Sequence, residues 1–382
     1  MDFRYKLRTN LIFGTGKEST IGREAAKLGN KVMIVTGGNS TKKSGLLDRT
    51  RKMLEEQNVE YIVFDKVQQN PVYSAVDEGA SLISSEGCCG AVAIGGGSVI
   101  DSAKAICAAA AYGVPVENLV YEGKAIVRAL PLIAVPTTCG TGSEVNGVAV
   151  LTNEKNNDKK SIKGDAIIPA AAIVDPLLMT TMPKHVYASV SFDALCHLME
   201  AYLSVHANPI TDMIAAEGMM LISDNILEVY RNYDNIDAWE KITLASTLGG
   251  YTLNAIGVIA GHGMEHPESG LRNVMHGKGL AAVMPVLLKE LAEASPVKTA
   301  EISRIFGGKD ESDCWQVILK LLKALQLDLT LDDLGFSEED ISWLTDNAFK
   351  VSAGTIACSP KQFEKDDIRR LYHEAMTFNK AY

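Results

Sequence analysis

A chain of 382 residues is longer than one ordinary hydrophobic core supports, so two domains are expected. The composition, with 47% apolar and 22% charged residues, is typical of globular proteins. The net charge of −10 and the lack of a basic patch argue against nucleic acid as a partner.

No membrane association is expected, because the apolar runs are too short to cross a bilayer and the first residues lack the apolar core of a signal peptide. The seven cysteines are scattered and show no CxxC spacing. This pattern indicates reduced thiols rather than a disulfide framework, and it predicts a cytoplasmic protein.

The first half of the chain alternates strand and helix patterns. The run KVMIVTGG, which begins at Lys31, is apolar and ends in two glycines, as is typical of a buried strand that leads into a loop. Further strands are predicted at 60–64, 89–94 and 130–135, and helices at 44–57, 73–84 and after residue 97. The alternation predicts a Rossmann-like α/β domain, a parallel sheet with helices on both faces, over residues 1–183.

The second half shows helical periodicity almost throughout. Helices are predicted at 192–205, 213–230, 238–255, 280–293, 315–325, 338–348 and 361–378. Residues 184–382 are therefore expected to form an all-α C-terminal domain.

Two loops of small residues follow successive strands of the first half. Gly95, Gly96, Gly97 and Ser98 stand between a strand and a helix, where backbone N–H groups and the positive helix end can bind a phosphate. The second loop, PTTCGTGSE from Pro136, lines up hydroxyl groups at the next strand end. Each loop alone could be a tight or hydrophilic turn, but two on successive strand ends favour a binding site.

The second half contains a candidate metal site. Asp193 and His197 stand four positions apart in SFDALCHLMEAYLS, a spacing that places both side chains on one helix face. Three more histidines, His262, His266 and His276, are close together in GHGMEHPESGLRNVMHGKGL. Two ligands from each segment would complete a four-ligand site, although an Asp-x-x-x-His pair alone is usually a hydrogen-bonded surface pair.

Taken together, these motifs resemble those of the iron-containing (group III) alcohol dehydrogenase family. The resemblance covers nearly the whole chain and rests on GGGSVIDSAK, PTTCGTGSE, IVDP, DALCHLMEAY and GHGMEHPESGLRNVMHGKG. It implies a dehydroquinate synthase-like architecture and a homodimer or larger homo-oligomer. The implied activity is metal-dependent hydride transfer between NAD(P)(H) and a small aliphatic alcohol, diol or aldehyde.

The resemblance also implies individual site residues. It gives Asp193, His197, His262 and His276 as ligands of Fe²⁺, with Zn²⁺ as the other possible ion. It gives His266 as the catalytic residue that moves a proton near the nicotinamide. The cofactor contacts that it implies are Asn70, Gly95, Gly96, Gly97, Ser98, Asp101, Thr137, Thr138, Thr141 and Lys159.

The segment after the first strand departs from the family pattern. Members of the family that prefer NAD usually have an acidic residue directly after the threonine of this strand, where it holds the ribose hydroxyls and repels a 2′-phosphate. Here Thr36 is followed by GGNS and, two residues later, by two lysines. We therefore expect Gly37, Gly38 and Ser40 to contact the cofactor and NADP(H) to be preferred, with NAD(H) possible.

A second departure is Pro267, which directly follows His266. A proline cannot donate a hydrogen bond to the carbonyl four residues earlier. The helix that carries His262 and His266 is therefore expected to kink or to begin late at this point.

Two other functions remain open at this stage. Glycerol dehydrogenase and dehydroquinate synthase have a similar architecture but use other ligand sets, so the aspartate and three histidines favour the alcohol dehydrogenase. The other alternative is a non-catalytic protein that binds metal and nucleotide without hydride transfer.

Overall fold

The computed structural model describes residue 3 and residues 5–382. These residues divide into two compact units. One unit is Lys6–Met182, and the other is Pro183–Tyr382 together with the described residues before Lys6.

The first unit is an α/β structure. Its strands are β1 (Asn10–Phe13), β2 (Lys31–Gly37), β3 (Glu60–Val67), β4 (Gly90–Gly95), β5 (Leu132–Pro136), β6 (Val148–Asn153), β7 (Asp158–Lys163) and β8 (Ala171–Val174). Six of them form a sheet in the order β1-β8-β5-β4-β2-β3 with every neighbouring pair parallel, and β6 and β7 form a separate antiparallel hairpin.

Helices connect the strands of this unit. The α-helices are α1 (Ile21–Ala26), α2 (Ser40–Lys43), α3 (Leu46–Glu56), α4 (Tyr73–Ser85), α5 (Gly97–Tyr112) and α6 (Val116–Glu122). Short 3-10 helices lie at Lys17–Thr20, Ser143–Val145, Asp165–Ile167 and Pro176–Thr181.

The parallel sheet is buried on both faces, as its apolar runs predict. In β2, Met33 and Val35 belong to one hydrophobic core, whereas Val32 and Ile34 belong to a second core. Successive side chains of a strand point to opposite faces, so a strand that is covered on both sides must be apolar throughout. The expected Rossmann-like α/β fold is confirmed.

The sequence patterns did not predict β1, β8 or the hairpin. Strand β7 reads DKKSIK, and Ile162 is its single apolar residue. Hydrophobic periodicity cannot identify such a strand, because its pairing with β6 and its tertiary contacts decide the conformation.

The second unit is helical, and its described residues contain no β-strand, which confirms the expected all-α half. Its helices are α7 (Lys184–Leu203), α8 (Pro209–Arg231), α9 (Ile236–Ile256), α10 (Ala260–Arg272), α11 (His276–Ala294), α12 (Pro296–Ile305), α13 (Cys314–Ala324), α14 (Asp340–Ile356), α15 (Lys365–Ala375) and α16 (Phe378–Ala381), with a 3-10 helix at Glu311–Asp313. Helix α7 is buried over most of its length. Any charged group on it therefore needs a compensating partner.

In the described part of the chain, no single helix is long and apolar enough to cross a bilayer. Two helix pairs, α5 with α6 and α9 with α10, pass the same length and composition test together, but they are bent by 94° and 102°.

Of the two outcomes expected at Pro267, a kink or a late start, the late start of α10 is wrong. The helix begins at Ala260 and carries Pro267 in its interior. Tertiary contacts fix its start: the backbone N–H of Ile259 donates to Glu200 Oε2 at 2.6 Å, and that of Ala260 donates to Ser359 Oγ at 3.2 Å. These acceptors satisfy N–H groups that a helix start leaves unpaired.

Replacing Asn208 with Ala should destabilise the helical unit, because Asn208 is the N-cap of α8. Its Oδ1 accepts from the backbone N–H groups of Ile210 (3.1 Å) and Thr211 (3.2 Å). Loss of such a cap costs about 1 kcal/mol. Urea denaturation followed by circular dichroism should show the loss for Asn208→Ala. Asn208→Asp, which keeps a capping oxygen, should retain the wild-type midpoint, and equal midpoints for Asn208→Ala and wild type would contradict the assignment.

Candidate active site

The four predicted metal ligands come together in the helical unit. Asp193 Oδ1 lies 3.4 Å from His262 Nε2, 3.6 Å from His276 Nε2 and 3.7 Å from His197 Nδ1. Helix α7 supplies Asp193 and His197 one turn apart, α10 supplies His262, and α11 begins at His276. The cluster is buried, with the His276 side chain 25% exposed.

The ligands are not equally close to one another. One ligand atom each from Asp193, His262 and His276 lies within 4.8 Å of the other two. His197 stands outside this group of three, and its ring stacks on that of His262 with the centroids 4.5 Å apart.

The donor atoms fit a divalent transition metal. Asp193 Oδ1 and His262 Nε2 are buried without a hydrogen-bond partner among the described residues. A buried polar atom in this state costs free energy, so such atoms usually indicate a ligand, an ion or a water. One carboxylate oxygen and imidazole nitrogens form a donor set that suits Fe²⁺ or Zn²⁺.

Two buried glutamates orient the imidazoles, and the sequence analysis missed both. Glu200 Oε1 accepts from His262 Nδ1 at 2.7 Å, and Glu265 Oε2 contacts His276 Nδ1. A carboxylate on Nδ1 fixes the tautomer and leaves Nε2 as the atom that faces the site. The spacing of Glu200 was an available signal, because it lies seven residues after Asp193 on the same helix face.

The charges at the centre favour a cation. Burial raises the pKa of Asp193, but His197, His276 and His262 together hold it well below its ordinary value. Burial lowers the pKa of His262, whereas Glu200 and Asp193 raise it, with a net result of about 10. The two opposite shifts in pKa show that this environment favours positive charge beside the Asp193 carboxylate, which a metal ion supplies when bound.

His266 lies beside the ligand cluster. Its ring centroid is 6.5 Å from that of His262 and 6.0 Å from that of His276. Its Nδ1 lies 3.5 Å from Ser352 Oγ on α14. His266 thus lies close to the cluster but is not one of the three residues, Asp193, His262 and His276, whose ligand atoms are closest together. Its catalytic role stays a prediction.

In the α/β unit, the two predicted loops are in contact. A Cβ on Gly96 would lie 3.0 Å from Thr138 Oγ1, and one on Gly97 would lie 2.4 Å from Thr141 Cγ2. The backbone N–H of Thr137 donates to the Gly95 carbonyl at 3.0 Å. Glycine is required here by the close approach of the loops. Helix α5 starts at Gly97, and its N-cap residue Gly96 has no side chain that could accept from the first N–H groups.

Asp101 lies one turn into α5 and holds the segment after the second loop. Its Oδ1 accepts from Ser143 Oγ, and its Oδ2 accepts from the backbone N–H of Val150 at 2.9 Å. Its neighbour Lys104, which was not among the predicted site residues, has a fully buried side chain beside Ser143. A lysine between two alanines in an apolar helix, three residues after an aspartate, was the available signal.

The remaining predicted cofactor contacts lie in two places. Lys159 on β7 pairs with Thr152 on β6, whose backbone N–H donates to the Pro71 carbonyl next to Asn70. Ser40 and Thr137 line one cleft, together with Thr41, Ser44, Leu46, Arg49, Leu177, Leu178 and Thr181.

The Gly37 segment has no acidic residue of its own, but a carboxylate stands near its lysines. Strand β2 ends at Gly37, and Gly38 follows in the turn before α2. Lys42 Nζ of α2 lies 2.5 Å from Asp65 Oδ2 of β3. The carboxylate of Asp65 therefore offsets the positive charge of Lys42, which would otherwise favour a 2′-phosphate.

Comparisons with known proteins agree along the chain. The family model "Iron-containing alcohol dehydrogenase" matches residues 8–176, and the model "Fe-containing alcohol dehydrogenase family, C-terminal" matches residues 187–376. The 1,3-propanediol dehydrogenase of Citrobacter freundii is 31% identical over 385 residues, which cover 98% of each chain.

Solved structures show the same relationship. An archaeal alcohol dehydrogenase from a Red Sea brine pool superimposes with a TM-score of 0.94 at 31% identity, over 98% of this chain and 99% of that chain. The NADH-dependent butanol dehydrogenase A of Thermotoga maritima gives a TM-score of 0.92 at 29% identity, over 98% of both chains.

Replacing Glu200 with Gln should weaken metal binding, because the amide removes the charge that His262 Nδ1 faces. Loss of such an orienting carboxylate raises the metal dissociation constant about 10- to 100-fold. Competition between the protein and a chromophoric chelator for Zn²⁺ measures the change. Glu217→Gln, at an exposed position of α8, is the matched control and should bind like wild type. Equal affinities for both variants would refute the orienting role.

Proposed function

Because the chain belongs to the iron-containing alcohol dehydrogenase family and is an oxidoreductase of alcohols and aldehydes, we propose that Asp193, His197, His262 and His276 hold its metal ion. The observation that supports this most is the buried Asp193 carboxylate. Its Oδ1 has nitrogen atoms of three imidazoles within 3.4–3.7 Å and no hydrogen-bond partner among the described residues.

We propose a small aliphatic alcohol, diol or aldehyde as the substrate. Support comes from relatives that carry the names 1,3-propanediol dehydrogenase and butanol dehydrogenase. When bound, Fe²⁺ or Zn²⁺ supplies Lewis-acid polarisation of the substrate oxygen, and the nicotinamide supplies or accepts the hydride.

The side chains of the site keep the metal and the proton in place. Glu200 and Glu265 contact Nδ1 of His262 and His276, so that each Nε2 lies toward Asp193, where it would bind the ion. His266 is proposed as the residue that carries the proton at a ring nitrogen, with Ser352 Oγ as the group next to its Nδ1.

For the cofactor, we propose the glycine loop Gly95–Ser98 as the pyrophosphate site. Thr137, Thr138, Thr141, Asn70 and Lys159 would add contacts, as would Gly37, Gly38, Ser40 and Asp101. The contact between the two loops and the uncapped start of α5 support this assignment. NADP(H) is proposed as the preferred cofactor, with NAD(H) also used, because no carboxylate follows Thr36 directly.

The organisation and setting of the protein are proposals as well. We propose that residues 1–183 and 184–382 are its two domains and that it works as a homodimer or larger homo-oligomer. A cytoplasmic location is supported by the seven cysteines, all of which are free thiols.

The test of this function is aldehyde-dependent oxidation of NADPH and, in parallel, of NADH. Protein loaded anaerobically with Fe²⁺ should turn over small aldehydes such as propanal, lose the activity on chelation and prefer NADPH. Activity that survives chelation would refute the metal role. A preference for NADH would refute only the proposal that NADP(H) is the preferred cofactor. Protein that binds metal and nucleotide but does not turn over small aldehydes would refute the proposed hydride transfer to these substrates.

Replacing His262 with Ala should abolish metal retention and turnover together, because it removes a buried donor from the group of three closest ligand atoms. Metal content after gel filtration and the steady-state rate are the two measurements. His206→Ala, at an exposed position of the same unit, should keep both. Full activity of His262→Ala would show that the site has been assigned to the wrong residues.

Replacing Gly37 with Asp should shift the preference from NADPH to NADH. A Cβ at Gly37 meets its nearest atom, the Val67 carbonyl oxygen, at 3.6 Å, so a side chain fits there. The new carboxylate would repel a 2′-phosphate, and we expect KM for NADPH to rise about tenfold relative to KM for NADH. Gly37→Asn has the same size without the charge and should leave the ratio unchanged. Equal effects of the two substitutions would contradict the electrostatic explanation.

A further inference from the structure

Lys104 is fully buried in the middle of α5, and the proposed function gives it no task. Its Nζ donates to Ser143 Oγ (2.7 Å), Asn146 Oδ1 (3.0 Å) and the Val148 carbonyl (2.8 Å). These acceptors match the three N–H groups of an ammonium. Burial lowers the pKa of Lys104 to about 8, against the opposing effect of Asp101.

Asp101 secures the same segment from one turn earlier on α5. Its carboxylate accepts from Ser143 Oγ and from the backbone N–H of Val150, and its Oδ1 lies 3.9 Å from Lys104 Nζ. Asn146 continues the network, because its Nδ2 donates to the Gly142 carbonyl and its Oδ1 also accepts from the backbone N–H of Val148. Residues 142–150 are thus attached to α5 at both ends.

The attached segment begins directly after Thr141. A Cβ on Gly97 would lie only 2.4 Å from Thr141 Cγ2, so the two loops are packed too closely for a larger residue at this position. A small displacement of Thr141 would change the shape of the loop that offers its N–H groups at the start of α5. Groups that bind phosphate well are held in place before the ligand arrives.

We infer that Lys104 is a positioning residue: by holding Ser143 and Asn146, it fixes the loop with Thr138 and Thr141 against Gly95–Gly97 and so sets the affinity for the dinucleotide pyrophosphate. The inference rests on the proposed function, because it takes these loops as the nucleotide site. Lys104 acts through the segment that it holds.

Two substitutions separate the hydrogen bonds from the charge. Lys104→Met removes all donors at similar length, whereas Lys104→Gln keeps an amide N–H₂ without the charge. Titration of NADPH by fluorescence should give a dissociation constant about tenfold higher for Lys104→Met, in the range expected for one hydrogen bond to a charged group. Lys104→Gln should lose less. KM for the nucleotide should follow, while kcat, KM for the aldehyde and metal content stay within about twofold.

A matched control distinguishes the positioning role of Lys104 from a general destabilisation of α5. Ile106 lies on the same helix and is fully buried, and it packs against Gly79 of α4. Ile106→Val should lower thermal stability and leave nucleotide affinity unchanged. If Lys104→Met does not fold, Lys104→Gln against the same control decides the question.

The outcomes distinguish the inference from the function on which it rests. Suppose that wild-type protein turns over aldehyde and that both Lys104 variants bind the nucleotide as tightly as Ile106→Val does. This result would overturn the positioning role of Lys104 and leave the proposed function intact. A fall in kcat at constant nucleotide affinity would also overturn it. Wild-type protein that does not bind NADPH or NADH would overturn both.

Discussion

The site in the helical unit depends on one electrostatic constraint, the burial of the Asp193 carboxylate. An anion taken out of water costs several kcal/mol unless positive charge or donors compensate it. Imidazoles from α7, α10 and α11 offset part of this cost, with three of their nitrogen atoms within 3.7 Å of Asp193 Oδ1, but none of them is a hydrogen-bond partner of that oxygen.

The compensation extends outward from Asp193. His262 and His276 each contact a buried glutamate through the ring nitrogen that faces away from Asp193. Anion, imidazole and anion thus alternate along each line from the centre, and two fully buried carboxylates gain partners in the same arrangement. This excess of negative charge is the reason that a divalent cation suits the centre better than a neutral ligand.

The sequence predicted the parts of the molecule that local patterns determine. The runs at β2 and β4 predicted a sheet covered on both faces, and the spacing of Asp193 and His197 predicted that both side chains lie on one face of α7, where they are 3.7 Å apart. The start of α10 could not be predicted, because Glu200 and Ser359, distant in sequence, satisfy its first N–H groups in spite of Pro267. Strand β7 was missed for a similar reason, since its polar residues become buried only through tertiary contacts.

Two apolar helices, α5 and α7, carry buried charged residues. Whether these residues have hydrogen-bond partners within the protein distinguishes their roles. On α5, Lys104 has three acceptors, and both oxygens of Asp101 accept hydrogen bonds, so the protein itself satisfies the network. Such a network fixes the position of the chain. On α7, Asp193 Oδ1 remains without a hydrogen-bond partner among the described residues, as does His262 Nε2 of α10 opposite it. Unsatisfied buried atoms that converge on one point favour a ligand from outside the chain, which supports the proposed metal centre at Asp193 and the inferred positioning role of Lys104.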